Sequence, residues 1–318
     1  MEIVTDLRDC VPPPGGSAVT IGAYDGLHLG HRALLTELRR RAEVGGLLTT
    51  VVTFDRHPAT VVRPESAPLL LCDPQQKLEL LAEAGVERAV VLTFDEARAD
   101  ETAEEFVSEV LVRALAARVV VVGEDFHFGH GRKGNVALLG DLGRESGFSV
   151  DGVGLTTDAD TVAGDGPISS TRIRGLVARG DVAGAARLLG RPHQVRGPVV
   201  HGDARGGAEL GYPTANIEVP DGIALPAPGI YAGVLERPDG TTWPSAVSVG
   251  RRPMFYEDGT LLVEAHLLDF DGDLYGEQAR LSFVERLRDE RTFDSVDDLV
   301  VQMGADVAEA RRILAAGR

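Results

Sequence analysis

Up to about residue 190, short runs of apolar, mostly β-branched residues alternate with longer stretches whose apolar positions recur at helical spacing. The runs are AVTIG, LLTTVVTF, RAVVLTF and ARVVVVG, and each begins or follows an amphipathic segment. Strands alternating with helices predict a parallel sheet. Ligands of such sheets bind beyond the carboxyl ends of the strands, and the first of these strands ends at Gly22, so a site is expected to begin there. After RLLGRPHQV the pattern changes. HQVRGPVV, GIYAGVL, WPSAVSVG, LLVEAHLL and QARLSFVE are strand-like runs separated by Gly, Pro and Asp turns, which predicts an antiparallel barrel. A last helix is expected after Ser295 as N-cap, with Leu299, Met303, Val307, Ala310 and Leu314 on one packed face. The change of periodicity alone sets the expected domains at 1–186 and 187–318.

Composition narrows the class. A chain of 318 residues favours two domains, and 43% hydrophobic with 25% charged residues is an ordinary globular balance. No run approaches the roughly eighteen apolar residues of a spanning helix, and MEIVTDLRDC carries no basic stretch leading into an apolar core, so a cytoplasmic protein with no membrane partner is expected. Cys10 and Cys72 are too few for a disulfide framework and lack metal-ligand spacing; no function is assigned to them. The net charge of −17 argues against a nucleic-acid partner, whose phosphates need a basic surface. It leaves room for a single ATP, held by local amides and cations with Mg²⁺ offsetting its charge. Oligomeric state is not legible in the sequence.

Candidate chemistry in the first half begins at GAYDGLHLGH, Gly22 to His31. Gly22 and Gly30 permit close backbone approach, amides at a helix start attract phosphate, and His28 and His31 stand three residues apart on one side of the turn. Asp25-Gly26 also reads as a common turn, and a histidine pair around glycines also serves purely structural ends. Far down the chain, ISSTRIRGL offers Ser170 and Thr171 as helix-capping hydroxyls, with Arg174 three residues beyond Thr171 and able to neutralise a leaving pyrophosphate. Taken alone, that segment reads equally as a cap beside a solvated arginine.

In the second half, HGDARGGAELGYPTAN joins a glycine-rich loop (Gly202, Gly206, Gly211), able to wrap phosphate with backbone amides, to a Pro-Thr-Ala-Asn turn. Thr214 and Asn216 supply two neutral oxygens suited to one edge of a Mg²⁺ site, and either also fits plain turn chemistry. Glu264 stands inside an apolar strand, where a carboxylate is costly unless it has a partner or a task such as general base towards a hydroxyl. Strand alternation also allows it simply to face solvent.

These motifs, in this order, resemble the bifunctional prokaryotic FAD synthetase family over essentially the whole chain, with TFDRHP (53–58), GEDFHFG (123–129) and LGRPHQVRGPVVHGD in addition. The resemblance implies an α/β fold: a Rossmann-like HxGH nucleotidyltransferase domain, then an antiparallel β-barrel resembling riboflavin kinase, with a terminal helix. It implies that His28, His31, Ser170, Thr171 and Arg174 handle ATP phosphates, and that the loop carrying Asp125, Phe126 and Phe128 lies near the FMN flavin. It further implies that Thr214 and Asn216 bind Mg²⁺, that Glu264 activates the riboflavin 5′-hydroxyl, and that RLRDE with Arg288 closes over flavin. The implied activity phosphorylates riboflavin to FMN and adenylylates FMN to FAD, with ATP as co-substrate. Departures from the family pattern are Arg56 in place of a proline, and Arg251, Arg252 and Met254 in place of small polar residues; a glycine-rich loop without its usual basic residue is a third. A relative with an altered kinase half, or a non-catalytic flavin- or nucleotide-binding regulator, would share much of this pattern.

Overall fold

The computed structural model describes residues 1–154, 166–201, 212–251 and 261–316. The chain divides into two compact units, Met1–Leu70 with Pro74–Ser169 and Leu71–Asp73 with Ser170–Arg318. The expected limit at 186/187 lies downstream of this division, because two short helices ahead of the barrel fall in the second unit.

In the first unit, β1 (Glu2–Val4), β2 (Ser17–Ile21), β3 (Leu48–Phe54), β4 (Arg88–Leu92), β5 (Ala117–Gly123) and β6 (Ser149–Val153) form one parallel sheet in the order β1-β4-β3-β2-β5-β6. Every residue of β2 is buried, as expected of a central strand covered on both faces. Its side chains alternate between two cores: Val19 and Ile21 join Val52, Val120 and Val122 on one face, while Ala18 joins Val51 and Val121 on the other. The strand ending before Gly22 is therefore second in the chain, not first. The true first strand spans only three residues, too short for a periodic signal. Helix α1 (Leu29–Gly45) buries Leu35, Leu38 and Ala42 and ends on Gly46 in the left-handed conformation that glycine adopts without strain. Helix α2 (Pro74–Glu83) buries Lys77, Leu80 and Leu81.

In the second unit, α3 (Ser170–Ala178) and α4 (Val182–Leu189) precede six strands: β7 (His193–Val200), β8 (Ala215–Ile217), β9 (Gly229–Glu236), β10 (Thr242–Arg251), β11 (Leu261–Leu267) and β12 (Gln278–Arg288). They close into an antiparallel barrel in the order β8-β11-β10-β9-β12-β7. Alternate residues fill it, among them Val195, Val199, Tyr231, Val247, Val263, Ala265, Leu281 and Phe283. The sequence shows five of these strands; β8 hides inside the Pro-Thr-Ala-Asn segment. Helix α5 (Val296–Ala316) starts where expected, with the Asp298 N–H donating to Ser295 Oγ at 3.1 Å. The stripe from Leu299 to Leu314 is buried or half-buried, and an unexpected carboxylate, Asp306, is buried on the same helix.

Candidate functional sites

In the sheet, β2 pairs with β3 on one side and β5 on the other, so the chain's direction of winding reverses between β2 and β5. A crevice opens at such a reversal, beyond the carboxyl ends of the strands. The loop after β2 is Gly22–His31, and the loop after β5 is Gly123–Gly129. Two segments singled out separately in the sequence thus flank one switch point.

The first loop is held in an unusual shape. Tyr24 and Leu27, neither of them glycine, have φ of 51° and 38°, and both side chains are fully buried. Such conformations persist only where the surroundings over-determine them. Tyr24 Oη lies 2.6 Å from Thr20 Oγ1, and burial pushes its phenol well above the usual value. His28 is the N-cap of α1: its Nδ1 accepts the His31 backbone N–H at 3.3 Å, which leaves Nε2 as the protonated nitrogen of the neutral ring. The His28 and His31 rings stack 3.7 Å apart at 14°. Burial, then the neighbouring His28, drives the His31 pKa well below 6.5, so His31 is a neutral N–H donor near pH 7. Its Nδ1 is buried with no hydrogen-bond partner among the described residues. A side chain on Gly30 would press on the His28 ring at 3.2 Å and on the Ile168 carbonyl at 3.4 Å, which explains the glycine there. Asp25 is buried within the loop.

Ile168 belongs to the segment that leads into Ser170, Thr171 and Arg174. These three lie on α3, which opens at Ser170, so the two hydroxyl residues are its first helical residues and do not precede it as caps. Arg174 is half-buried, one turn beyond Thr171.

After β5, Asp125 is exposed at a turn closed by the Phe126 N–H on the Gly123 carbonyl. Phe126 and Phe128 stack at 5.4 Å; Phe128 is buried, whereas Phe126 keeps a partly open face. Arg56, the departure in TFDRHP, turns to its neighbour Asp55 at 3.1 Å.

Lys77 carries no motif in the sequence, yet its ammonium reaches the ends of β2 and β3. It donates to the Phe54 carbonyl at 2.7 Å and lies 3.3 Å from Thr53 Oγ1 and 3.5 Å from the Ala23 carbonyl. A lysine among glutamine and leucine in a helical pattern reads as solvated, so only the fold could reveal it.

On the barrel, strand register assembles residues that stand far apart in the chain. Asn216 on β8 pairs with Glu264 on β11, Glu264 with Ser248 on β10, Ser248 with Ile230 on β9, and Ile230 with Arg288 on β12. All five are half-buried on the face turned away from the barrel core. At about 4.8 Å per strand, Glu264 and Arg288 stand roughly 14 Å apart along this row. The sequence singled out Asn216 and Glu264 by their chemistry and Arg288 through the family resemblance; register puts them in one line. Thr214 sits half-buried two residues before Asn216, and its turn is pinned to β11 by His266 Nδ1, 2.9 Å from the Pro213 carbonyl. The Arg288 guanidinium is engaged by Asp306 of α5, with contacts of 2.7, 2.9 and 3.1 Å, and Gln302 adds a further bond to that carboxylate. Gly202, Gly206 and Gly211 lie outside the described residues, as do Arg252 and Met254; of Arg251 only the backbone, at the end of β10, is described.

No group of three or more His, Cys, Asp or Glu able to hold a metal ion occurs among the described residues. Two neutral oxygens beside a single carboxylate, as at Thr214, Asn216 and Glu264, instead suit a hard cation that keeps waters and arrives with nucleotide phosphates. No described helix is long and apolar enough to cross a membrane.

Comparison with known proteins gives two family matches: FAD synthetase over residues 12–172 and riboflavin kinase over residues 189–314. A bifunctional riboflavin kinase/FMN adenylyltransferase of Pseudomonas fluorescens is 38% identical over 99% of this chain and 98% of its own length. Proteins of the same description from Haemophilus influenzae and Escherichia coli K12 are 34% and 37% identical, covering 98% and 94% of this chain and 98% and 93% of theirs. A solved chain from Streptococcus pneumoniae, described as a macrolide-efflux protein, superposes with a TM-score of 0.85 at 33% identity, covering 97% of this chain and 98% of that one.

Proposed function

The chain belongs to the bifunctional riboflavin kinase/FMN adenylyltransferase family, and from that premise we propose how its own residues carry the two reactions. It is an enzyme that phosphorylates riboflavin to FMN and adenylylates FMN to FAD, with ATP as co-substrate. The observation that carries this reading is the pair of family matches, one on the sheet and one on the barrel, which together span all the candidate residues except Arg174, two residues beyond the first match.

In adenylyl transfer, a phosphate oxygen of FMN bonds to the α-phosphorus of ATP, the bond to the bridging oxygen breaks, and pyrophosphate leaves. The work of the protein is alignment and charge stabilisation. We assign the triphosphate to the Gly22–His31 loop, where α1 amides, the His28 ring and the neutral His31 ring donate to phosphate oxygens. We also assign Ser170, Thr171 and Arg174 to ATP phosphates, Arg174 offsetting the charge that develops on pyrophosphate. The loop with Asp125, Phe126 and Phe128 takes the flavin, for which the open face of Phe126 is a stacking surface. We place the functional boundary at 186/187, between the two activities.

In the kinase reaction, Glu264 accepts the proton of the riboflavin 5′-hydroxyl as that oxygen attacks the γ-phosphorus of ATP and ADP leaves. Thr214 and Asn216 would hold Mg²⁺, which would supply positive charge to offset that of the nucleotide phosphates. We assign phosphate contacts to Gly202, Gly206 and Gly211, and the flavin edge to Arg288. We assign the enzyme to the cytoplasm, with small molecules as its partners.

The test is product analysis of the purified chain with ATP, Mg²⁺ and either riboflavin or FMN. FMN and FAD are expected from riboflavin, and FAD from FMN. FAD from FMN without FMN from riboflavin would remove the kinase half and implicate Arg251, Arg252 and Met254; neither product would overturn the reading.

A further inference from the structure

Lys77 is 9% exposed, and a buried ammonium is costly to desolvate unless its hydrogen bonds are made. If helix α2 only needed to cover the sheet, a leucine or methionine at this position would serve better. Three oxygens that the ammonium approaches lie close together in the fold: Thr53 Oγ1 and the Phe54 carbonyl end β3, and the Ala23 carbonyl begins the loop after β2. Thr53 Oγ1 also donates to the Ala23 carbonyl at 3.3 Å, and the Gly22 N–H donates to the Val52 carbonyl at 3.0 Å. Ala23 immediately precedes Tyr24, the first of the two residues held at positive φ. The lysine therefore sits at the root of the strained loop.

We propose that Lys77 is a positioning residue for adenylyl transfer, which clamps the ends of β2 and β3 and so holds the Gly22–His31 loop in its nucleotide-binding shape. This inference rests on the assignment of that loop to ATP. It predicts a distinct kinetic signature. Releasing the clamp lets Tyr24 and Leu27 relax toward ordinary backbone angles, moving the α1 amides and the two imidazoles relative to the phosphates. Misplacement of about 1 Å can cost a hundredfold in rate. The kinase half has no part in this.

The experiment compares the full chain with Lys77→Met and with Thr53→Val, which removes only the hydroxyl link. FMN adenylylation is followed with ATP varied and then with FMN varied; riboflavin phosphorylation and thermal melting are measured on the same preparations. Lys77→Met is expected to lower kcat/KM for ATP by roughly a hundredfold, raising the KM for ATP and leaving the KM for FMN and the kinase rate unchanged. Thr53→Val shifts the same parameters in the same direction by less, and it carries the test if Lys77→Met does not fold. A variant that melts earlier, yet whose folded protein keeps wild-type kcat and KM for ATP, would show a merely structural lysine and overturn the proposal. If the wild-type chain makes no FAD from FMN, the functional reading falls and this inference with it. An active wild type with indifferent variants removes this inference alone.

Discussion

At the scale of single residues, the His28–His31 stack sets an expectation about pH. His31 is neutral across the physiological range because burial and its neighbour hold its pKa well below 6.5. If it works as a neutral donor, adenylyl transfer does not decline as pH rises from 6 to 8, whereas a required imidazolium would lose activity through that interval. A pH profile of kcat/KM separates the two. Removing the donor in His31→Ala, or the cation in Arg174→Ala, is expected to cost about 2.7–4 kcal/mol of barrier, a hundredfold or more in FMN-to-FAD turnover. Riboflavin phosphorylation should survive in both variants. His193 is a second buried imidazole, stacked on Phe283, with Nε2 donating to the Ala224 carbonyl and its pKa lowered to about 4, chiefly by burial. Between pH 6.5 and 4 the unfolded chain binds a proton that the folded barrel refuses, so this residue's contribution is fully present above 6.5 and is lost as pH falls. The loss amounts to roughly 3 kcal/mol at pH 4. His193→Phe should flatten that slope, being less stable than wild type at pH 7, where the carbonyl loses its donor, and recovering relative to it near pH 4. Denaturant unfolding followed by the fluorescence of Trp243, the one tryptophan, measures this.

At the scale of elements, α5 illustrates what a sequence pattern conveys and what it omits. Its start at Ser295 and its apolar stripe were legible, because capping and helical spacing are local properties. Asp306 was not legible. An acidic residue in a helix reads as solvated, and only the approach of Arg288 from β12 accounts for its burial. With side-chain exposures of 13% and 9%, breaking this pair leaves an uncompensated buried charge, a change that costs about 3–5 kcal/mol. Asp306→Asn is accordingly expected to lower the barrel's melting temperature and to raise the KM for riboflavin, with FMN adenylylation unaffected. Replacing both members by apolar residues should restore most of the stability without restoring the KM. Three-residue strands such as β1 and β8 escaped for a different reason: they are too short for alternation to register, and tertiary pairing alone makes them strands. Lys77 belongs with Asp306, since its importance arises from the two strand ends it meets and from nothing in its own neighbourhood of sequence.

At the scale of the molecule, each unit has its own core, and one family match covers the sheet and the other the barrel, so damage to one reaction should leave the other intact. A mixture of His31→Ala and Glu264→Gln proteins is expected to convert riboflavin to FAD although neither variant does so alone, with FMN passing through solution. Absence of FAD from the mixture would mean that the intermediate is not released. The cross-barrel row from Asn216 to Arg288 has a different kind of consequence. Five strands contribute one residue each, and neighbouring positions on every strand face the opposite way. Slipping β11 by one residue would turn Glu264 into the core and bring Val263 or Ala265 outward, with every residue type still present in the chain. The row is therefore encoded in counting phase as much as in chemistry: hairpin loops can lengthen or shorten over evolutionary time, while a single inserted or deleted residue within a strand breaks up the row without a single substitution.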